Sequence, residues 1–195
     1  MAVIGGGPAG SAAALALCRL APGLRVVLLE AGRYRDYRPG EVVAASARAV
    51  LAELGVLQAV EGAGLKSLPA VLSAWEAPQP IERHEMFSAR GPGWLVERTC
   101  FDRHLAELAA ARGAEVRLDC RVGELRRRGG GWTLRLPENA ALSAGFVVLA
   151  TGRSWRFIRA LGARLHTEDR LLGGLRLVAD GEDGYPGLAV EARAD

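Results

Sequence analysis

Cysteine is scarce in this sequence of 195 residues, which contains three cysteines in total. Cys18, Cys100 and Cys120 are odd in number, and none of them forms a C-x-x-C pair. Both facts argue against a disulfide framework and against a structural zinc site. The three histidines also lack partners at metal-ligand spacing. We therefore expect no metal site, and we expect the chain to occupy a reducing compartment, the cytoplasm.

Long apolar runs are also missing. No stretch of about 18 apolar residues exists, so we expect no transmembrane helix. The apolar residues 12–17 do not form a secretion signal, because no basic residue precedes Arg19 and the glycines of residues 5–7 interrupt the run.

Lysine is nearly absent, since Lys66 is the only lysine among the 25 basic residues. The net charge of +3 is small and dispersed along the chain. The densest basic run, the three arginines at 126–128, precedes three glycines and predicts a solvated hairpin turn. A nucleic-acid footprint needs a charged face rather than one turn, so we expect no nucleic-acid partner.

The composition is that of a globular chain, with 50% hydrophobic and 24% charged residues. These values exclude a disordered or collagen-like protein. Dividing the length of 195 residues by about 150 residues per domain gives an expectation of between one and two domains.

The N-terminal residues predict a βαβ unit. The apolar residues 2–4 lead into a glycine-rich turn, residues 8–20 are typical of a helix, and residues 24–30 form a second apolar strand. This order within about 30 residues implies a parallel sheet. Further helices are predicted at 41–54, 101–111 and 155–161, and further strands within 71–87 and at 94–97, 115–118, 120–127, 132–136, 146–149, 172–179 and 188–192.

A G-x-G-x-x-G pattern lies in the turn of this unit, at Gly5, Gly7 and Gly10, and Glu30 follows twenty residues later. The first glycine allows the tight turn, the second lets a pyrophosphate approach the backbone, and the third lets the helix pack closely on the sheet. Glu30 can accept hydrogen bonds from a ribose diol and would repel a 2′-phosphate. The pattern predicts a dinucleotide site, although its spacing does not separate FAD from NAD.

Four motifs in order resemble the flavin-dependent monooxygenase and halogenase superfamily, which shares the para-hydroxybenzoate hydroxylase fold. Residues 3–11 (VIGGGPAGS) resemble its FAD fingerprint. Residues 38–41 (RPGE) and residues 93–105, with GWLVER followed by FDxxL, resemble its halogenase-like branch. Residues 150–154 (ATGRS) resemble its second FAD-contacting turn. Within that branch the chain is most similar to flavoproteins that mature protein-derived quinone cofactors.

The resemblance implies an α/β fold: a Rossmann-type FAD/NAD(P)-binding domain with inserted β-strands and the truncated start of a second, substrate-binding sheet. We expect the FAD-binding domain at 1–165, with inserted strands at about 69–98, and the start of the substrate domain at 166–195. Members of this superfamily are longer, so we interpret the chain as an N-terminal fragment of a larger flavoprotein.

The resemblance also implies a cofactor, FAD, and a set of residues that bind it. The glycines would hold its pyrophosphate, Glu30 its ribose, and Gly152 would pack beside it. Arg98 is either a polar contact to the cofactor or a surface charge before a helix. The expected cofactor-binding residues are Gly5, Gly7, Pro8, Ala9, Gly10, Glu30, Arg98 and Gly152. No catalytic residue can be named.

Two departures from the family narrow the predicted function. Aromatic hydroxylases that use NAD(P)H directly carry Asp-Gly where this chain has Thr151-Gly152, which favours an enzyme fed by a flavin reductase or an external electron donor. Lys66 does not fall where halogenases place their active-site lysine, and Pro69 lies near that point. We predict an FAD-dependent monooxygenase that uses reduced flavin and O₂ on a small-molecule or peptide-borne aromatic substrate. The alternatives are a halogenase, a prenyl-chain reductase, or a non-catalytic nucleotide-binding fragment.

Overall fold

A computed structural model describes residues 1–38, 41–74, 79–84, 89–164, 166, 168 and 187–191. The predicted strand 172–179 and two residues of the RPGE motif, 39 and 40, lie outside the described residues. The chain divides into two compact units. The first is Met1–Arg38 with Thr99–Leu172, and the second is Pro39–Arg98 with Gly173–Asp195.

In chain order, the helices and strands of the described residues are β1 (Ala2–Ile4), α1 (Pro8–Leu20), β2 (Val27–Leu29), β3 (Glu41–Val43), α2 (Ala47–Glu53), α3 (Leu57–Glu61), β4 (Lys66–Leu68), β5 (Ala70–Ala74), β6 (Ile81–His84), β7 (Gly93–Val96), α4 (Arg98–Ala111), β8 (Glu115–Arg117), β9 (Glu124–Arg128), β10 (Gly131–Arg135), β11 (Ala141–Ala144), β12 (Val147–Leu149), α5 (Arg156–Ala160) and β13 (Leu188–Glu191). A short 3-10 turn, Pro137–Asn139, joins β10 to β11.

The first unit is built on a four-stranded parallel sheet of order β12-β1-β2-β8. Every residue of β1 and β2 is buried, as expected for central strands of a parallel sheet that is covered on both faces. Helix α1 connects these two strands and buries a face of mostly small residues, which include Gly10 and Ala14. The small residues bring the start of the helix close to the sheet.

A three-stranded antiparallel sheet of order β11-β10-β9 completes the first unit. Leu134 in β10, the central strand of this sheet, lies opposite Leu125 and Leu142 and is fully buried. One continuous core joins this sheet, the parallel sheet and α5. It consists of Ala2, Ile4, Val27, Leu29, Cys120, Val122, Leu134, Leu136 and Phe157.

The second unit contains two small sheets, with strand orders β3-β7-β4 and β13-β5-β6. Helix α2 packs against the first of these sheets through Arg48, whose guanidinium lies 4.4 Å from the centroid of the buried Trp94 ring in β7. Arg48 also donates through Nε to the carbonyl oxygen of Pro92, 3.0 Å away, and forms an ion pair with Glu61. These contacts connect α2 and α3 to the strand that carries Trp94.

The predicted α/β class and its parallel sheet are confirmed. The helix predicted at 41–54 is wrong in its first part, since Glu41–Val43 is a strand that pairs with β7 and the helix starts at Ala47. The consecutive valines Val42 and Val43 favour a strand, because β-branched side chains fit a pleated sheet better than a helix.

The predicted domain boundary at 165 stays a prediction. Strand β13, which lies within the range expected for the substrate domain, pairs in parallel with β5 of the inserted segment. Among the described residues, no helix is long and apolar enough to cross a membrane.

Candidate functional site

The turns that follow β1 and β12 meet at the carboxyl edge of the parallel sheet. Gly5 ends β1 with a φ of +109°, a conformation that side chains rarely adopt. A Cβ added to Gly5 would lie 2.2 Å from the carbonyl oxygen of Ala150, which follows β12. Glycine at position 5 is therefore required by both the turn and the neighbouring strand. In parallel sheets this edge is where ligands bind.

Gly10 and Gly7 have contrasting environments in the same loop. A Cβ on Gly10 would lie 1.8 Å from the carbonyl oxygen of Gly5, so close approach of α1 to β1 depends on the missing side chain. A Cβ on Gly7 would meet no atom within 4 Å. The chain therefore needs glycine at position 10 for its own packing, whereas glycine at position 7 leaves a space open above the loop.

The N-terminus of α1 faces this loop without a capping side chain. Gly7 is the N-cap residue, Pro8 lies in the first turn, and that turn carries no acidic residue. The amides of the first turn, including that of Ala9, have no partner within the helix. Together with the positive end of the helix dipole, they can bind an anion such as a phosphate.

Glu30 lies directly beneath the loop, at the end of β2. Its side chain is 8% exposed, and Oε2 accepts a hydrogen bond of 2.7 Å from the Gly6 amide. Oε1 accepts one of 3.1 Å from the Gly32 amide. The carboxylate thus contacts the glycine loop directly and retains lone pairs that can accept hydrogen bonds from a ribose diol.

Two side-chain hydroxyl groups bind the carbonyl group of Gly6. Tyr34 Oη donates to the Gly6 carbonyl oxygen at 2.8 Å, and Ser11 Oγ donates to the same atom at 3.2 Å. Burial raises the pKa of the Tyr34 hydroxyl, and the nearby carboxylates of Glu30 and Asp102 raise it further. Tyr34 is therefore a neutral hydrogen-bond donor over the ordinary pH range.

Arg38 connects Glu30 to helix α4. Its Nη1 lies 2.9 Å from Oδ2 of Asp102, which is fully buried, and its Nη2 lies 3.7 Å from Oε1 of Glu30. The guanidinium is 38% exposed, so it reaches the two carboxylates from the solvent side. It supplies the positive charge between two buried acids.

Replacing Arg38 by methionine is expected to lower the free energy of unfolding by about 2 kcal/mol. Removing one partner of a fully buried pair costs more, but Arg38 is partly exposed and water screens its charge. Urea denaturation would measure the change, and Arg35→Met, at an exposed arginine of the same segment, is the matched control. Equal midpoints for Arg38→Met and wild type would contradict this role.

Most of the predicted site residues lie in the first compact unit, at the turns that follow β1 and β12. Gly152 lies in the turn after Ala150 with a φ of +57°, and Thr151 Oγ1 donates to the Ser154 carbonyl oxygen at 2.7 Å. Arg98 is the first residue of α4 and belongs to the second compact unit. Its contact with a cofactor stays a prediction, as do the roles of the other predicted binding residues.

Sequence reasoning misses four residues around the loop: Tyr34, Ser11, Arg38 and Asp102. Ser11 belongs to the fingerprint without a predicted role of its own. Asp102 is expected to be a helix-start or core residue rather than a ligand, and the structure buries it in α4, where it pairs with Arg38. The RPGE and FDxxL motifs contain Arg38 and Asp102, so their pairing could have been suspected from the resemblance. No pattern in the sequence marks Tyr34.

Comparison with known proteins gives a family match and several relatives. Residues 1–183 match the family model described as FAD binding domain. The putative FAD-dependent oxidoreductase LodB from Marinomonas mediterranea is 30% identical over 176 residues, covering 88% of this chain and 47% of LodB. The chain therefore spans less than half the length of this relative.

Solved structures show the same similarity. The flavin-dependent halogenase CmlS superposes with a TM-score of 0.75 at 27% identity, over 86% of this chain and 32% of CmlS. QhpG, a peptidyl tryptophan dihydroxylase essential for tryptophylquinone cofactor biogenesis, superposes with a TM-score of 0.60 at 28% identity. That match covers 87% of this chain and 34% of QhpG.

Proposed function

The chain belongs to the FAD-binding domain family, and on this basis we propose that it supplies the FAD site of a monooxygenase-like oxidoreductase. The predicted resemblance to flavin-dependent monooxygenases and halogenases is confirmed by the family and by its relatives. The observation that best supports the proposed site is the open space above Gly7, beside the uncapped start of α1.

The residues of the loop fit the parts of FAD in the following way. The amides of Gly7, Ala9 and Gly10 bind the pyrophosphate, Gly5 forms the turn beneath it, and Pro8 lies in the first helical turn. Glu30 accepts hydrogen bonds from the adenosine ribose diol, and Gly152 packs beside the cofactor. Arg98 adds a polar contact. When bound, FAD supplies the redox chemistry, and the residues of this chain bind and orient it.

The site is tested by titrating the 195-residue chain with FAD and with FMN, which lacks the AMP half of FAD, adenosine together with one phosphate of the pyrophosphate. Because the glycine loop and Glu30 would contact that half, we expect FAD to bind at least about tenfold more tightly than FMN. Quenching of flavin fluorescence measures both dissociation constants. Equal affinity for the two flavins, or no binding of FAD, would reject the proposed site.

For the reaction, we propose hydroxylation of a small-molecule or peptide-borne aromatic substrate by reduced flavin and O₂. QhpG is a peptidyl tryptophan dihydroxylase, which supports this substrate class. A flavin reductase or an external donor supplies the electrons, and the Thr151-Gly152 turn supports that arrangement. A halogenase is the second candidate, supported by the similarity to CmlS.

The two reactions are separated by supplying purified protein with FAD, a flavin reductase, NADH, isotopically labelled O₂ and a tryptophan-containing peptide, with and without bromide. Mass spectrometry would detect labelled oxygen in the peptide if the protein is a hydroxylase. Bromine in the product would favour the halogenase instead. A peptide that stays unmodified in every mixture would contradict both reactions for this substrate.

We further propose that the protein acts in the cytoplasm. Cys18, Cys100 and Cys120 all lie among the described residues and form no disulfide with one another, which supports a reducing compartment. The division into an FAD-binding domain at 1–165, with its inserted strands, and a substrate domain that starts at 166 is likewise a proposal. Proteolysis of the protein with FAD bound would locate the boundary.

A further inference from the structure

The peptide that joins Gly6 to Gly7 is fixed at its carbonyl end by two side chains. The Gly6 carbonyl oxygen accepts hydrogen bonds from the hydroxyl groups of Tyr34, at 2.8 Å, and Ser11, at 3.2 Å. Both donors are buried, Tyr34 being 7% exposed and Ser11 fully enclosed. The carbonyl therefore points into the interior of the first unit.

The same peptide presents its N–H group on the opposite side. The described chain contains no cis peptide bonds, and in a planar trans peptide the C=O and N–H bonds point in opposite directions. The Gly7 N–H consequently points away from Tyr34. A Cβ added to Gly7 would meet no atom within 4 Å outside the neighbouring residues, so the space beside this residue is open to a ligand.

Tyr34 holds this arrangement with an uncommon backbone conformation. Its φ is +56°, in the left-handed region that bulky residues rarely adopt. Such conformations persist where the surroundings fix them, and they are concentrated at functional sites. The segment after β2 thereby turns the phenol ring under the glycine loop.

We propose that Tyr34 is a positioning residue for the nucleotide: it holds the Gly6–Gly7 peptide so that the Gly7 amide donates a hydrogen bond to the pyrophosphate. This inference rests on the proposed FAD site. Tyr34 itself does not touch the cofactor. Ser11, the second donor to the same carbonyl, supports the same orientation.

The substitution Tyr34→Phe keeps the ring and removes the donor. One hydrogen bond of this kind corresponds to about a 3- to 10-fold effect, so we expect the dissociation constant for FAD to rise by that factor. ADP should lose affinity to the same extent, whereas adenosine, which lacks phosphates, should not. Tyr37→Phe is the matched control, because Tyr37 is 57% exposed and should leave all three affinities unchanged.

A second measurement needs no ligand. In nucleotide-free protein, ¹⁵N relaxation should show a rigid Gly7 amide, with an order parameter of about 0.85, and a clearly lower value in Tyr34→Phe. If Tyr34→Phe fails to fold, Ser11→Ala should show the same changes to a smaller extent.

Three outcomes would overturn the positioning role: an unchanged FAD affinity in Tyr34→Phe, an unchanged Gly7 order parameter, or an equal loss of adenosine binding. The last would mean that the whole site is disturbed. If the wild-type chain binds no FAD, the proposed function fails, and the relaxation measurement still decides whether Tyr34 orients the peptide.

Discussion

Gly7→Val is expected to weaken FAD binding at least about 100-fold, equivalent to about 2.7 kcal/mol, while the chain keeps its fold. The backbone at Gly7 has φ −71° and ψ −175°, which other residues adopt without strain. No protein atom lies within 4 Å of the added Cβ. The branched side chain instead fills the space through which the pyrophosphate would approach the amides in the proposed site.

The measurement is a pair of experiments on the same variant. Flavin fluorescence gives the dissociation constant, and thermal unfolding of the nucleotide-free protein gives stability. We expect the free energy of unfolding to change by no more than about 1 kcal/mol, the usual effect of a poorer N-cap residue. Gly23→Val is the control, because Gly23 also has open space around it but lies at the other end of α1. Retention of FAD affinity within a factor of about three would refute the assignment of Gly7.

Gly10→Ala is expected to show the opposite behaviour, a large loss of stability. The new Cβ would lie 1.8 Å from the carbonyl oxygen of Gly5 and 3.3 Å from the side chain of Ala150. The Gly5 carbonyl belongs to the backbone and cannot rotate away like a flexible side chain. The clash is therefore relieved only if α1 moves away from the sheet. We expect a loss of at least about 3 kcal/mol, at the upper end for overpacked cores, and a fall in Tm of about 10 °C.

Circular dichroism during heating would measure this fall, with Gly7→Ala as the control in the same loop. The two alanine variants add the same methyl group three residues apart. The difference between their Tm values therefore measures the contribution of the packing of α1 on the loop. A Gly10→Ala variant that unfolds within about 2 °C of wild type would show that the helix can shift without cost.

The glycine loop can be predicted from the sequence because its requirements are local. The turn at Gly5 and the helix that follows it lie within one short segment, and the strand that carries Glu30 comes soon after. Each of these features depends on residues close in the chain, so spacing alone is sufficient. The family resemblance then supplies the cofactor, FAD.

The supports of the loop cannot be predicted from spacing because they depend on distant contacts. Asp102 lies far along the chain from Arg38, and only the fold brings α4 beside the segment after β2. Tyr34 is close to Glu30 in sequence, but its left-handed backbone directs its ring under Gly6. A periodic pattern of apolar residues in the sequence cannot identify a single residue of this kind.

Some strands are not predicted from the sequence because they depend on pairing with other strands. Strand β11 consists of small and moderately apolar residues, Ala141–Ala144, without the β-branched side chains that favour strands. Pairing with β10 holds it in the sheet, with Leu142 opposite Leu134. Conversely, β3 is predicted as part of a helix, because the alanine-rich residues that follow it have the spacing of a helix. Its pairing with β7 favours the strand instead.

The close approach of Gly5 to Ala150 also has a consequence for the order in which the glycine loop forms during synthesis. Strand β1 is made first, but its neighbour β12 follows only after most of the second unit and the antiparallel sheet. Contacts between such distant segments are slow to form, because a long loop must close before they contribute. A nascent chain that ends before Ala150 therefore carries the complete G-x-G-x-x-G sequence without the strand on which Gly5 packs. Cofactor capture would then be a late event in folding.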